Sequence, residues 1–143
     1  MAITQAMCSS FKTEILSGGH NFNTTNRALS LNTQDTFNIA LYTSSATLGA
    51  ATTVYATTNE VSGTNYSAGG QALAIAQVPT LTGTTATIDF TDEVFSNVTI
   101  TARGALIYNA SVSNTAVCVL DFGSDKSASA GDFTIQFPAV GAT

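Results

Sequence analysis

The sequence predicts a mainly β protein, an antiparallel β-sandwich of jelly-roll or immunoglobulin-like topology with one N-terminal α-helix. In the C-terminal third, Phe133, Ile135 and Phe137 alternate with polar residues, the period of two that places every second side chain on one face of a strand. The apolar run at residues 116–120 is typical of a strand in the middle of a sandwich. Turn-forming Ser, Asn, Asp and Gly separate seven or eight such runs, as in other sandwiches.

The first part of the chain predicts a helix over about residues 3–16. Apolar residues that recur every four positions would form one face of this helix: Ile3, Met7, Phe11 and Ile15. The pair Gly18-Gly19 would end it, because glycine accepts the left-handed conformation of helix C-termini. Two roles are open for the apolar face: it covers one end of the β-core, or it docks on a neighbouring subunit.

The rest of the chain predicts an irregular arm or a pair of short edge strands over about residues 20–36, and a β-core over about residues 36–138, within a single domain of residues 1–143. Residues 37–42 predict the first core strand, and residues 52–70 an exposed excursion with two turns that packs on itself or on a partner. A strand that stops at Pro79 precedes a hairpin turn at residues 82–84. A turn-rich connector is predicted at residues 123–131.

Composition excludes several classes of function. Only 9% of the residues are charged, with four Lys and Arg and a net charge of −5, which argues against nucleic acid as a partner because phosphate binding requires clustered basic residues. No apolar run approaches the roughly 20 residues of a membrane span, and no secretory signal opens the sequence. Cys8 and Cys118 are predicted to be buried free thiols, which fits a reducing cytoplasm.

The sequence predicts no catalytic residue, no cofactor site and no metal site, and so no enzyme. His20 is the single histidine and has no second histidine with which to share a metal. Asp121, Asp125 and Asp132 could collect calcium, but their spacing does not match an EF-hand loop.

Two further residues join the helix face as candidate interface residues. Arg103 is one of only four basic residues, and its planar guanidinium is expected to make a specific bond to a carboxylate, within the chain or across an interface. Tyr66 lies in the excursion that packs on itself or on a partner. Small uncharged side chains lose little entropy on immobilisation and leave few charges to desolvate, so this composition favours permanent contact with other protein.

Five stretches resemble a family of small virion structural proteins of tailed bacteriophages, including those of cyanobacteria. They are MCSSFKTEILSG at residues 7–18, FNIALYTSSATLG at 37–49, TTNEVSGTNYSAGG at 57–70, TARGALIYN at 101–109 and VLDFGSDK at 119–126. The resemblance implies a decoration or cement protein that is made in the host cytoplasm and binds the major capsid protein on the outer surface of the shell. By analogy with three-fold shell sites, it implies a homo-oligomer, expected to be a trimer.

Two alternatives differ from this expectation. A tail, baseplate or fibre module of the phage particle would use the same β-sandwich for assembly or for contact with a host surface. A sugar-binding domain is disfavoured, because the tyrosines have neither a Trp platform nor a carboxylate pair beside them.

Overall fold

The computed structural model describes residues 2–23 and 34–139. One short helix and seven strands follow one another in these residues. They are β1 (Ala6–Met7), α1 (Ser9–Leu16), β2 (Phe37–Tyr42), β3 (Gln71–Leu73), β4 (Ile75–Thr82), β5 (Thr85–Phe90), β6 (Glu93–Asn109) and β7 (Thr115–Ile135). Residues 20–23 and 34–36 of the predicted arm lie outside any strand, and residues 24–33 of it are outside the described residues.

The strands form two antiparallel sheets. Five of them pair in the order β1-β7-β6-β2-β3, and β4 pairs with β5 in a second, two-stranded sheet. The predicted fold class, a mainly β sandwich with antiparallel sheets and one N-terminal helix, is confirmed. The described helix is too short to cross a membrane.

Buried residues are concentrated where β2 pairs with the second half of β6. Residues 104–109 are all buried, and so is nearly all of β2, because these strands lie inside the five-stranded sheet. Aromatic rings connect this region to the second sheet: Phe22 stacks on Phe37 with 4.3 Å between ring centroids, and Phe37 lies 6.0 Å from Phe90 of β5. The apolar runs of the sequence therefore predicted the core correctly.

The predicted helix boundaries of residues 3–16 are wrong at the N-terminal end. The helix starts at Ser9, and the residues before it are extended. The amides of Thr4 and Cys8 donate to the carbonyls of Leu48 and Val117 at 2.9 and 3.0 Å, so neighbouring segments satisfy this backbone without a helix. At the other end, Gly18 takes a φ of 73°, and the predicted glycine stop is confirmed.

The turn-rich connector predicted at residues 123–131 is strand. Residues 126–128 pair with Thr101 and its neighbours across a register that shifts at several points. Ser and Gly favour turns in isolation, but here the ladder to β6 provides hydrogen-bond partners for their backbone. Gly123 and Ala130 take positive φ values of 76° and 47°, the conformation expected where a bulged strand bends.

The other predictions for the core hold in part. The turn at residues 82–84 is confirmed, but β4 continues through Pro79, which lies at a shift in the β4–β5 register, where a ladder tolerates proline. Phe133 and Ile135 are buried as predicted, whereas Phe137 follows the end of β7 and is half-buried. Cys8 is buried and Cys118 half-buried, and both are free thiols.

Candidate contact surface

A groove whose described lining residues carry no charge lies beside the N-terminal segment. It is open and has a volume of about 980 Å³, and residues 2, 4, 42, 46–54, 56, 58 and 59 line it. Small side chains, mainly Ala, Thr and Gly, make up most of this lining. We call it the uncharged groove. Its chemistry suits contact with another uncharged surface, because little has to be desolvated when it is covered.

The N-terminal segment forms one wall of the uncharged groove. Ile3 makes a parallel bridge with Leu48, and the amide of Leu48 donates to the carbonyl of Ala2 at 3.1 Å. On the far side, Val54 bridges Thr115 at the start of β7. The loop that carries the groove is therefore tied to the N-terminal segment at one margin and to β7 of the five-stranded sheet at the other.

Glu60 organises the excursion at residues 52–70, part of which lines the groove. Its Oε1 accepts hydrogen bonds from the hydroxyl of Tyr66 at 2.8 Å and from the amide of Gly69 at 2.7 Å, and its Oε2 accepts one from the hydroxyl of Tyr55 at 2.7 Å. The Tyr66 hydroxyl also accepts from the amide of Leu41 in β2 at 2.8 Å. One carboxylate thus connects three points of the excursion, and through Tyr66 it connects them to the sheet.

This inward carboxylate explains why the surface is uncharged. Glu60 is the only charged residue between Asp35 and Asp89. Because its oxygens bond to tyrosine hydroxyls and a backbone amide, they are not presented to a partner. The excursion predicted at residues 52–70 does pack on itself, and it exposes Thr, Ser, Ala and Asn instead of charge.

All four tyrosines of the chain have raised pKa values, chiefly because burial disfavours the phenolate. They are Tyr42, Tyr55, Tyr66 and Tyr108. The negative charge of Glu60 raises each of these pKa values further. A tyrosine in the unfolded chain loses its proton near pH 10.

We expect the stability of the protein to be insensitive to the tyrosines below about pH 10 and to fall above it. Above that pH the unfolded chain releases phenolic protons that the folded chain retains, so each further pH unit favours unfolding. Phenolate absorbance should therefore rise late, together with the loss of the circular dichroism signal of the sheets. A normal titration near pH 10 in a chain that stays folded would contradict this.

His20 belongs to a second polar network, at the end of α1. The amide nitrogen of Asn109 donates to His20 Nδ1 at 3.0 Å and to Asp35 at 2.8 Å, while its oxygen accepts from the amide of Ser111. His20 Nδ1 is therefore an acceptor, and Nε2 donates to Glu14 at 2.7 Å. Both ring nitrogens are used within the chain, so this histidine ties the helix to the end of β6.

Arg103 makes its predicted bond to a carboxylate within the chain. Its Nε donates to Oδ1 of Asp121 at 3.1 Å, across the β6–β7 pair. The pKa of Asp121 is lowered, first by the amide of Gly123 and then by Arg103. The Arg103 side chain is about one-third exposed.

The candidate interface residues lie in different environments. Ile3 and Phe11 are buried in the core, and Tyr66 is half-buried in the excursion. Met7 and Ile15 are 54% and 44% exposed, and Leu16 beside them is 90% exposed. The face predicted for a single helix thus divides: Ile3 and Met7 precede α1, and only Phe11 and Ile15 lie in it. Whether any of these residues contacts a partner stays a prediction.

Sequence reasoning missed the uncharged groove, although one signal for it is visible. Residues 36–59 contain no charged side chain, which is uncommon for a surface segment. What the sequence does not show is that the N-terminal residues pair with Leu48 and complete the wall.

Among residues 2–23 and 34–139, no cluster of three His, Cys, Asp or Glu side chains could hold a metal ion.

No protein-family model, curated protein or solved structure matches the chain.

Proposed function

We propose that this chain is a virion structural protein of a tailed bacteriophage that binds the major capsid protein and stabilises the outer shell. The observation that carries the proposal is the uncharged groove, together with the single carboxylate of the segment, whose oxygens bond within the chain. The resemblance of five stretches to phage virion proteins supports the same function.

A surface of this kind suits permanent assembly. Covering it desolvates almost no charge and immobilises few long side chains. A decoration protein occupies many equivalent positions on a shell, so contacts that are individually weak add up to a large stabilisation of the particle. The uncharged groove would contact the capsid protein directly.

We expect particles that lack this protein to lose their DNA at a lower temperature than complete particles. Adding the purified protein back should restore the original temperature. Dye access to the genome during heating measures this release. Equal release temperatures for stripped and complete particles would contradict a cementing role.

The contact surface is tested by placing a charge in it. Val54→Asp introduces a carboxylate at the margin of the uncharged groove, where Val54 is 47% exposed, and it should abolish rebinding to stripped particles. Val94→Asp is the matched control, because Val94 is 40% exposed near the start of β6 and does not line the groove. If both variants rebind equally well, the groove is not the contact.

The number of copies per particle separates the shell from the tail. A decoration protein should be present in numbers comparable to the capsid protein, whereas a tail, baseplate or fibre module should be present in few copies. Quantitative mass spectrometry of purified particles provides this ratio.

A further inference from the structure

The β4–β5 hairpin leaves the body of the protein at its turn end. Residues 79–86 are all exposed, and Leu81 is 69% exposed. Gly83 has a φ of 61° and is the first of two loop residues between Thr82 and Thr85, the position at which a type II′ turn requires glycine. A sheet of only two strands has little stability of its own in water, and here only its base packs on the core, through Ile75, Ile88 and Phe90.

The register shows which backbone groups of β5 point outward. Thr82 and Thr85 flank the two-residue turn and form a pair, followed by Leu81 with Ala86 and Thr80 with Thr87. Backbone groups alternate between facing the partner strand and facing away from it. Those of Thr85 and Thr87 therefore face β4, and those of Ala86 and Ile88 face away. Among the described residues, no strand pairs with this second edge of β5.

Within residues 2–23 and 34–139, this edge lacks the features that normally protect one. Natural sheets block an exposed edge with charged side chains, proline or a covering element, because the unpaired backbone groups bind other strands. On the β4 side, Pro79 removes an amide. On the β5 side, residues 85–88 include neither proline nor a charge, and the first charge is Asp89 at the base.

We propose that β5 pairs antiparallel with β5 of a second copy of this chain, around a two-fold axis. In such a contact each strand meets its own residues, so any charge on the edge would face a like charge. Residues 85–88 are Thr, Ala, Thr and Ile; they carry no charge, and Thr opposite Thr is a favourable cross-strand pair. The product is a four-stranded sheet across the two copies. This proposal is independent of capsid binding.

A contact between two four-residue edges buries less area than the roughly 1,200 Å² of a stable interface, so we expect association that depends on concentration. In sedimentation velocity, the 14.7 kDa chain should approach twice that mass as its concentration is raised. Ala86→Pro removes an outward amide without breaking a hydrogen bond to β4, and it should weaken the association constant at least about tenfold. An unchanged circular dichroism spectrum shows that the variant is folded.

Leu81→Pro is the matched control. Leu81 is the cross-strand partner of Ala86, so its amide points away from β5 on the opposite edge of the hairpin, and its replacement should leave association unchanged. In the unaltered chain, hydrogen exchange at the amides of Ala86 and Ile88 should slow as the concentration rises. Three results would overturn the proposal: a chain that stays monomeric, equal effects of the two prolines, or protection of these amides only when capsid protein is added.

Discussion

Gly70→Ala should destabilise the protein by more than about 3 kcal/mol, or prevent folding altogether. Gly70 has a φ of +69°, and a Cβ atom there would collide with the backbone carbonyl of Ile39 in β2. Left-handed backbone costs roughly 1–3 kcal/mol for a residue with a side chain, and a collision with backbone cannot be relieved by rotating a side chain. Gly70 lies immediately before β3, whose Gln71 pairs with Ile39. The expected result is therefore loss of the β2–β3 contact and of the excursion anchored next to it.

Gly83→Ala separates the two causes. Gly83 has nearly the same φ, +61°, but a Cβ there would meet no atom within 4 Å. We expect this variant to lose only about 1–2 kcal/mol from backbone strain. Urea unfolding of both variants, followed by circular dichroism, measures the difference. Equal losses would mean that β2 and Gly70 do not approach as closely as described.

The pattern of the sequence predicted the buried strands because burial on both faces leaves a direct trace. Residues 105–108 are all apolar and lie where β6 is covered on both sides. The start of the helix left no such trace. Ile3 and Phe11 are both buried and fit a helical spacing, yet Ile3 is extended and forms a β-bridge with Leu48. Tertiary partners far along the chain decided its conformation, and local spacing cannot reveal them.

The second half of β7 shows the same limit for strands. Residues 123–131 are mostly small and polar and are exposed over most of their length, so hydrophobic periodicity cannot identify them as strand. Their conformation depends on the β6 backbone, which pairs with Lys126 and its neighbours. A strand that is specified by its partner more than by its own side chains cannot be predicted from its hydrophobic pattern.

The candidate contact surface was predictable in its chemistry and unpredictable in its location. An absence of charge can be counted in the sequence, and it predicts contact with other protein. Whether Glu60 would interrupt that surface depends on its orientation. That orientation is set by Tyr55 and Tyr66, which approach from both sides of it in the chain and meet its two oxygens separately.

Glu60→Ala should therefore cost about 2–4 kcal/mol of stability. The substitution removes the acceptor of two tyrosine hydroxyls and of the Gly69 amide, and hydrogen bonds to a charged group contribute about 1.5–3 kcal/mol each, without being additive. Glu60→Gln should lose roughly half as much, because its remaining oxygen can accept from Tyr66 and Gly69 while its amide can donate to Tyr55. Asp125→Ala removes an equal charge from an exposed position on β7 and should be nearly neutral.

Chemical denaturation of these three variants tests whether the carboxylate acts through its hydrogen bonds or through its charge. If the hydrogen bonds matter, the stability of the Glu60→Gln variant lies between those of the original chain and the Glu60→Ala variant. Tyr55→Phe then lowers the stability of the original chain but not that of the Glu60→Ala variant. If only net charge matters, the Ala and Gln variants behave alike. In that case the excursion would be held by packing alone, and the uncharged groove would not depend on the inward carboxylate for its shape.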